Sequence, residues 1–284
     1  MSPGDAPAFP STVGLTDREF RKLSAYIESE LGIRMPDAKR VMLEARLQKR
    51  LRFLGLSDFE SYVERVFADG SPELVHMIDA VTTNKTDFFR EADHFDALVT
   101  RLLPARLERP DGHRTYSFWS AGCATGEEPY TLAMVLEEFR TTHPGFGYRI
   151  VASDISTQAL WTAMNAVYDS ERVAVVPMSY KKKYLLRSKD PARDEVRIKK
   201  ELRDKVEFVR LNFMDDGYPF EGLFDVVFCR NVIIYFDRPT QERILGRMCR
   251  YLRTGGNLIL GHSETLTGMS LPLRGLAPTL YERL

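Results

Sequence analysis

Apolar residues in the first ninety positions recur every three or four residues, which is the period of an amphipathic α-helix. The pattern runs through four stretches, at residues 20–31, 43–54, 59–67 and 74–81. Two of these stretches follow capping-box spacings, formed by Thr16 with Glu19 and by Ser57 with Glu60. The sequence therefore predicts an all-helical domain over residues 15–90.

From about residue 115 the pattern changes, because short runs rich in β-branched and aromatic residues alternate with helical stretches. These runs lie at residues 115–120, 148–153, 206–211, 224–229, 257–261 and 279–282. Strands that alternate with helices at this spacing are typical of βαβ units. The pattern predicts an α/β domain over residues 91–284, built on a doubly wound, mostly parallel sheet.

Residues 169–205 interrupt this alternation with a charged, lysine-rich stretch that is longer than a βα loop needs. The stretch contains two possible short strands, at 184–187 and 195–199. We expect a small inserted β-subdomain here. Residues 1–14 show neither pattern and contain several prolines, so they are expected to form a flexible tail.

Composition narrows the class of protein. Forty basic residues balance forty acidic ones, which argues against binding of polyanions along the whole surface. The hydrophobic fraction of 44% allows packed cores, whereas no apolar run approaches the roughly 20 residues of a membrane span. The N-terminus lacks the charged and apolar regions of a signal peptide. A cytoplasmic protein without membrane insertion is expected.

The three cysteines, at positions 123, 229 and 249, are widely spaced and form no Cys-x-x-Cys pair. This spacing favours neither a disulfide framework nor a zinc site. A single cysteine in a strand is more often a small buried residue than a catalytic thiol. We therefore expect no disulfide and no metal site.

One segment is strongly basic. Residues 34–53 carry seven basic and two acidic side chains, a net charge of +5. At 100° per residue, one sector of the predicted helix holds Lys39, Arg46, Lys49 and Arg50. A solvated face and a docking surface for an acidic partner both explain this pattern. Aromatic residues are not interleaved with these cations as single-strand binding requires, so no nucleic-acid partner is expected.

Candidate ligand-binding residues follow the first two strands, where open α/β sheets bind their ligands. The turn after the first strand holds Gly122 and Gly126, which suits either close approach to a ligand or helix packing. Glu127 and Glu128 disfavour a phosphate at the helix start, and the glycine spacing is not that of a dinucleotide site. Asp154 follows the second strand, where an acid commonly binds ribose hydroxyls. A nucleoside with a cationic amino-acid end, such as S-adenosylmethionine, satisfies both features.

Five motifs occur along the chain in this order: TTNKTDFFRE (82–91), FWSAGCATGEEPYTLA (118–133), ASDIS (152–156), FDVVFCRNVIIYFD (224–237) and GHSE (261–264). Together they resemble the CheR-type chemoreceptor methyltransferases of bacterial chemotaxis. The resemblance implies a class I S-adenosylmethionine methyltransferase fold with an N-terminal helical domain and a small inserted β-subdomain. It also implies methyl transfer to glutamate carboxylates of chemoreceptors, which leaves glutamate methyl esters and S-adenosylhomocysteine.

The same resemblance assigns residues to the cofactor. Contacts are expected from Asn84, Thr86, Arg90, Glu128, Asp154, Asn212, Phe213, Arg230 and Asn231. Structural roles stay open beside these, because Glu128 can complement the helix dipole, Asp154 can cap the next helix and Phe213 can be a core residue. Asn84 and Thr86 would bind the carboxylate end of the cofactor.

Arg90 and Tyr235 are the expected catalytic residues, and both are expected to position groups. A glutamate side chain has a pKa near 4.3 and is ionised at pH 7, so no general base has to activate it. An arginine fork is suited to orienting a carboxylate. Tyr235 alone would be a partly buried core aromatic, and for His262 a structural hydrogen bond is expected.

The resemblance implies that the basic helix docks on the cytoplasmic helical domain of a chemoreceptor, at its acidic methylation region. Related proteins that bind a C-terminal receptor peptide carry a glycine-rich turn in the inserted subdomain, whereas residues 187–195 contain no glycine. This tethering peptide is therefore not an expected partner. Two other functions stay open: a methyltransferase acting on RNA or a small molecule, and a non-catalytic module that senses the cofactor.

Overall fold

The structure, a computed structural model, describes residues 14–108 and 115–284. The tail expected at 1–14 lies outside the described residues except for its last position. The chain divides into two compact units, which meet in sequence between Thr83 and Asn84.

The sequence pattern places the domain boundary near residue 90, several residues after the boundary between the compact units. Residues 84–90 belong with the second unit for a physical reason. Phe88 is 2% exposed and lies in the hydrophobic core of that unit, and the N–H of Phe89 donates to the Thr131 hydroxyl at 3.1 Å. Phe88 and Phe89 thus anchor the motif TTNKTDFFRE to the second unit.

The first unit is helical throughout its described elements, as expected. They are α1 (Asp17–Leu31), a 3-10 turn (Asp37–Lys39), α2 (Arg40–Leu54), α3 (Phe59–Val66) and α4 (Glu73–Val81). Thr16 and Glu19 form the predicted capping box of α1. The second predicted capping box is wrong, because Asp58 caps α3 by accepting the N–H of Ser61 at 2.8 Å. The Ser57 hydroxyl instead donates to the Asp58 carboxylate.

The second unit contains ten strands among its described residues. They are β1 (Thr115–Ala121), β2 (Gly147–Asp154), β3 (Val167–Asp169), β4 (Leu185–Arg187), β5 (Glu195–Ile198), β6 (Val206–Arg210), β7 (Phe224–Cys229), β8 (Leu252–Leu260), β9 (Leu273–Ala277) and β10 (Leu280–Arg283). Seven of them form one sheet in the order β6-β2-β1-β7-β8-β10-β9. The first five strands in this order are parallel, and β10 and β9 are antiparallel. The predicted doubly wound, mostly parallel sheet is confirmed.

Helices precede the first strand and connect the later ones. They are α5 (Asp93–Ala97), a π-helical turn (Leu98–Leu102), α6 (Leu103–Leu107), α7 (Glu127–Thr142), α8 (Thr157–Asn165), α9 (Met178–Tyr184), α10 (Lys200–Arg203), a 3-10 turn (Ile233–Tyr235) and α11 (Arg238–Tyr251). The central strand β7 is buried along its whole length, which explains its uninterrupted apolar sequence. Within residues 14–108 and 115–284, every helix is too short or too polar for a bilayer span.

The expected insertion forms a second, three-stranded antiparallel sheet in the order β3-β5-β4. Its strands β4 and β5 lie where the sequence predicts them, and β3 begins at Val167 because α8 ends in the left-handed residue Ala166. Two contacts fix this insert to the turn after β1. The Tyr168 hydroxyl donates to the Thr125 carbonyl at 2.8 Å, and Arg172 pairs with buried Glu127 at 2.8 Å.

Candidate functional site

The carboxyl ends of the parallel strands lie at one edge of the main sheet, where ligands of open α/β sheets bind. Several of the predicted cofactor residues lie at these ends or in the segments that follow them. They are Glu128 after β1, Asp154 at the end of β2, Asn212 and Phe213 after β6, and Arg230 and Asn231 after β7. The fold therefore brings residues from distant parts of the sequence to one edge.

The turn between β1 and α7 requires its glycines. Gly122 has φ +80°, and a Cβ there would lie 2.5 Å from the Val232 side chain. Gly126 has φ +97°, and a Cβ there would lie 2.8 Å from the Ala163 side chain. Both the left-handed conformation and the space thus exclude larger residues. Of the two interpretations left open by the sequence, close packing accounts for both glycines.

Asp154 fastens this turn to the end of β2. The side chain is 8% exposed, and its carboxylate accepts the N–H groups of Ala124 at 2.8 Å and Ser156 at 2.9 Å. Ala124 itself has a positive φ. The alternative role of Asp154 as the helix cap is not observed, because the Ser156 hydroxyl caps α8 by accepting the N–H of Ala159.

A buried arginine joins two carboxylates at the end of β7. The Arg230 side chain is 2% exposed and lies 3.2 Å from both Glu128 and Glu91. It also donates to the carbonyl of Arg90. Glu128 in turn accepts the Ser120 hydroxyl at 2.7 Å. Burial raises the pKa of Glu128, and the charges of Arg230 and Arg90 act in the opposite direction.

Glu91 is a site residue that sequence reasoning missed, although it ends a quoted motif. Besides Arg230, it accepts the side-chain amide of Asn231 at 3.2 Å, and its own backbone has a positive φ of 52°. Burial would raise the pKa of Glu91, but the nearby Arg230 charge and these hydrogen bonds lower it overall. An ionised Glu91 thus links Arg230 to Asn231.

Glu264 is the second missed residue, and it organises the loop after β7. Its carboxylate accepts four backbone N–H groups, from Asn231, Val232, Ile233 and Gly261, at 2.7–2.9 Å. The side chain is 5% exposed, and burial raises its pKa against the effect of the four donors. Since Asn231 has φ +57°, this carboxylate holds a conformation that the loop would rarely adopt by itself.

The remaining predicted residues lie beside this network. Asn84, Thr86 and Arg90 are half-buried, and Arg90 donates to the Lys85 carbonyl at 3.2 Å. The side-chain amide oxygen of Asn212, Oδ1, accepts the N–H of Met214 at 3.0 Å. Arg230 thus contacts Glu128 and the backbone of Arg90, and Glu91 joins Arg230 to Asn231, so these residues form one cluster.

The two predicted aromatic residues differ in burial. Phe213 is 9% exposed, and its ring lies 6.4 Å from that of Trp119, so it is largely a core residue. Tyr235 is half-buried at the end of the 3-10 turn that follows the Glu264-bound loop. It follows β7 as the sequence predicts, and its part in the wall of the site stays a prediction.

The cysteines and His262 have the structural roles expected for them. All three cysteines are free and buried, and burial raises the pKa of Cys123 well above its ordinary value, so its thiol is not activated. The Nε2 atom of His262 lies 3.0 Å from the Asp93 carboxylate. The His262 ring packs edge-on against buried His94, whose pKa is lowered by burial to about 4.

The four predicted docking residues differ in exposure within the first unit. Arg50 makes two hydrogen bonds to the buried Glu73 carboxylate, at 2.9 and 2.7 Å. Arg46 donates to the backbone carbonyls of residues 81 and 82, and Lys39 donates to that of residue 34. Lys49 is exposed. The helical period identified the basic sector but not the acidic or carbonyl groups that cover part of it.

The site and its fold together define a class of protein. A sheet of this strand order with a glycine turn after β1, an acid at the end of β2 and carboxylates opening α7 defines a class I methyltransferase that binds S-adenosylmethionine. The profile of the CheR methyltransferase SAM-binding domain matches residues 84–277, and that of the CheR all-alpha domain matches residues 18–82. The chain belongs to the CheR methyltransferase family.

Named relatives resemble the chain over nearly its whole length. The chemotaxis protein methyltransferase of Escherichia coli K12 is 40% identical over 270 residues, covering 95% of this chain and 92% of that protein. The chemotaxis protein methyltransferase of Borreliella burgdorferi is 35% identical over 279 residues, covering 97% of each. Chemotaxis protein methyltransferase 2 of Pseudomonas aeruginosa is 38% identical over 267 residues, covering 94% and 93%.

Proposed function

We propose that this enzyme methylates glutamate side-chain carboxylates of chemoreceptors in the cytoplasm, with S-adenosylmethionine as donor and S-adenosylhomocysteine as product. The names of its relatives place related proteins in chemotaxis. The choice of a carboxylate substrate rests on the hydrogen bonding of the Arg90 side chain. Among the described residues its guanidinium donates only to the Lys85 carbonyl, and a guanidinium has five N–H donors. The remaining donors suit a carboxylate.

The chain's own residues have a limited chemical task in this reaction. The acceptor carboxylate is already ionised, so the site has to bind, orient and exclude water. Arg90 orients the carboxylate through paired hydrogen bonds, and Tyr235 forms part of the wall. Glu128, held by Arg230 and Ser120, presents negative charge to the cationic end of the cofactor. The bound cofactor supplies a methyl group on a positively charged sulfur, which keeps the electron pair of the broken bond.

Receptor docking is proposed to rest on the exposed part of α2. Lys49 and Arg52 are exposed there, and Phe53 is 76% exposed beside them. Exposed charges are screened beyond a Debye length of about 8 Å at physiological salt, so receptor binding should be weak and salt-sensitive. The insert turn between β4 and β5 contains no glycine and includes Pro191. This restricts its backbone, so capture of a tethering peptide is not part of the proposal.

The chemical test is the fate of the transferred label. Membranes that contain receptors are incubated with the enzyme and S-adenosylmethionine labelled in its methyl group. A carboxyl ester releases this label as methanol in mild base, so base-labile methanol is the expected result. Base-stable label on protein or RNA would reject the glutamate proposal in favour of an amine or RNA methyltransferase. Absence of transfer despite cofactor binding would favour the sensing module.

Two sets of variants test the residue roles. Arg90→Lys keeps the charge but loses the paired geometry, so kcat should fall more than cofactor affinity. An equal loss of both would make Arg90 a cofactor-binding residue only. For docking, Lys49→Glu with Arg52→Glu should lower receptor methylation without changing cofactor affinity. The matched control reverses two exposed charges on α1, Arg18→Glu with Arg21→Glu. Equal methylation by the two double variants would reject α2 as the docking surface.

A further inference from the structure

Three potential metal ligands meet between the start of α5 and the loop after β8. They are the Glu91 carboxylate and the imidazoles of His94 and His262, whose nearest ligand atoms all lie within 4.8 Å of one another. None of the roles derived above for the methyltransferase uses the two histidines. Imidazole nitrogen and carboxylate oxygen are common ligands of divalent transition metals.

The first supporting observation is the hydrogen-bonding state of His94, whose side chain is 2% exposed. Its Nε2 lies 2.8 Å from the Thr279 hydroxyl, and that hydroxyl donates its own hydrogen to the Pro278 carbonyl. Nε2 must therefore carry the ring proton, an assignment that follows from this network. The lone pair then lies on Nδ1, which has no hydrogen-bond partner among the described residues. This buried nitrogen faces Glu91 Oε2 at 3.5 Å.

An orphaned buried lone pair beside a carboxylate is unfavourable, because both groups are acceptors. A cation between them would give Nδ1 the partner that it lacks, while Glu91 already accepts from Arg230 and Asn231. The separation of 3.5 Å is close to the spacing of neighbouring ligands around a tetrahedral zinc ion, for which metal–ligand bonds of roughly 2.0–2.2 Å imply about 3.4 Å. Two of the three ligands thus already have the required spacing.

His262 provides the second supporting observation. Its Nε2 lies 3.0 Å from the Asp93 carboxylate. A histidine that binds a metal through one ring nitrogen commonly donates the N–H of the other nitrogen to a carboxylate in this way. The His262 side chain is 54% exposed, so it can approach the other two ligands without disturbing the core. The ring already packs edge-on against His94, with centroids 4.9 Å apart.

We propose that Glu91, His94 and His262 form a binding site for a divalent transition-metal ion such as Zn²⁺, and that the bound ion inhibits the enzyme. Inhibition follows from the shared carboxylate. Glu91 Oε2 also accepts from Arg230, which contacts Glu128. An ion at this carboxylate repels the guanidinium and weakens the cluster that holds Glu128. Because the Arg230 guanidinium also repels the ion, we expect the metal affinity of this site to be lower than that of structural zinc sites. Mg²⁺, which prefers oxygen ligands, is not expected to bind.

The test uses the full chain, with Co²⁺ as a spectroscopic probe and Zn²⁺ in calorimetry. The native protein should bind one equivalent of Co²⁺ with visible absorption, and Zn²⁺ should displace it. His262→Ala should weaken binding by at least about tenfold, whereas His76→Ala in the first unit should not. Cofactor affinity, measured separately, should fall with Zn²⁺ for the native protein and His76→Ala but not for His262→Ala.

Three results would overturn the proposal. Native protein that produces no Co²⁺ absorption has no such site. Equal metal affinity in His262→Ala and His76→Ala means that the ion binds elsewhere on the surface. Metal binding at this site without any change in cofactor affinity removes the inhibitory role. All three readouts are independent of which substrate the enzyme methylates.

Discussion

Replacing Glu264 with glutamine should strongly destabilise the second unit. Each carboxylate oxygen accepts two backbone N–H groups, Oε1 from Val232 and Ile233 and Oε2 from Asn231 and Gly261. Glutamine replaces one oxygen with an N–H₂ group, so two buried donors lose their acceptor whichever way the amide is oriented. Each unsatisfied donor costs about 1–3 kcal/mol, which gives a total of about 2–6 kcal/mol.

This cost is a large part of the 5–15 kcal/mol that typically stabilises a domain. Urea unfolding followed by tryptophan fluorescence measures it directly, because both tryptophans, Trp119 and Trp161, lie in the second unit. Cofactor affinity should fall as well, since the same loop carries Arg230 and Asn231. The affinity is measured well below the unfolding midpoint, so that loss of folded protein does not contribute.

Glu242→Gln is the matched control. The Glu242 carboxylate accepts one backbone N–H, from Ser270, in a partly exposed position, so its replacement should change the free energy of unfolding by no more than about 0.5 kcal/mol. If Glu264→Gln were as stable as this control and bound the cofactor with native affinity, the four N–H groups would not depend on the carboxylate. The positioning role of Glu264 would then be refuted.

Three further predictions follow from other contacts. Gly122→Ala should abolish cofactor binding, because the position has a positive φ and a Cβ there would clash with the Val232 side chain. Gly70→Ala, with φ +67° but open space around it, should leave binding unchanged. Calorimetry measures both affinities, and equal binding by the two variants would contradict the packing argument. Arg50→Ala should cost the first unit about 3 kcal/mol by leaving buried Glu73 without its ion pair, as measured by urea unfolding; a loss below 0.5 kcal/mol would contradict this. Cys123 and the other two cysteines should resist thiol-labelling reagents in the folded protein and react fully in denaturant, and fast labelling of the native protein would show that a thiol is accessible.

Local sequence was informative wherever local physics decides the structure. The capping box at Thr16 and Glu19, the strands of the main sheet and the glycine turn after β1 depend on neighbouring residues or on simple periodicity. The edge strand β9 was missed because its exposed positions carry Arg274 and Gly275, so it lacks the apolar alternation of a half-buried strand. Neighbouring residues do not determine which distant residue a side chain contacts in the fold.

Arg50 illustrates this limit, because a helical projection gives its angle on α2 but not the Glu73 carboxylate that approaches from α4. Glu91 and Glu264 are comparable cases. Both stand in motifs quoted from the sequence, yet their importance comes from donors that follow β7, far away along the chain. The sequence could identify the edge of the sheet at which the candidate site residues meet. The hydrogen-bond network that shapes it required coordinates.

The insert also has a consequence for cooperativity. The three-stranded sheet has no core of its own among the described residues, because its buried residues, such as Tyr184, Val196 and Ile198, belong to the same apolar cluster as Tyr130 of α7. The backbone amides of the insert and of β2 should therefore exchange hydrogen with the same free energy of opening, because they unfold as one cooperative unit. A mutation that loosens the insert would also disturb the turn after β1, because Tyr168 donates to the Thr125 carbonyl there. The sequence of the insert therefore cannot change independently of the domain that carries it.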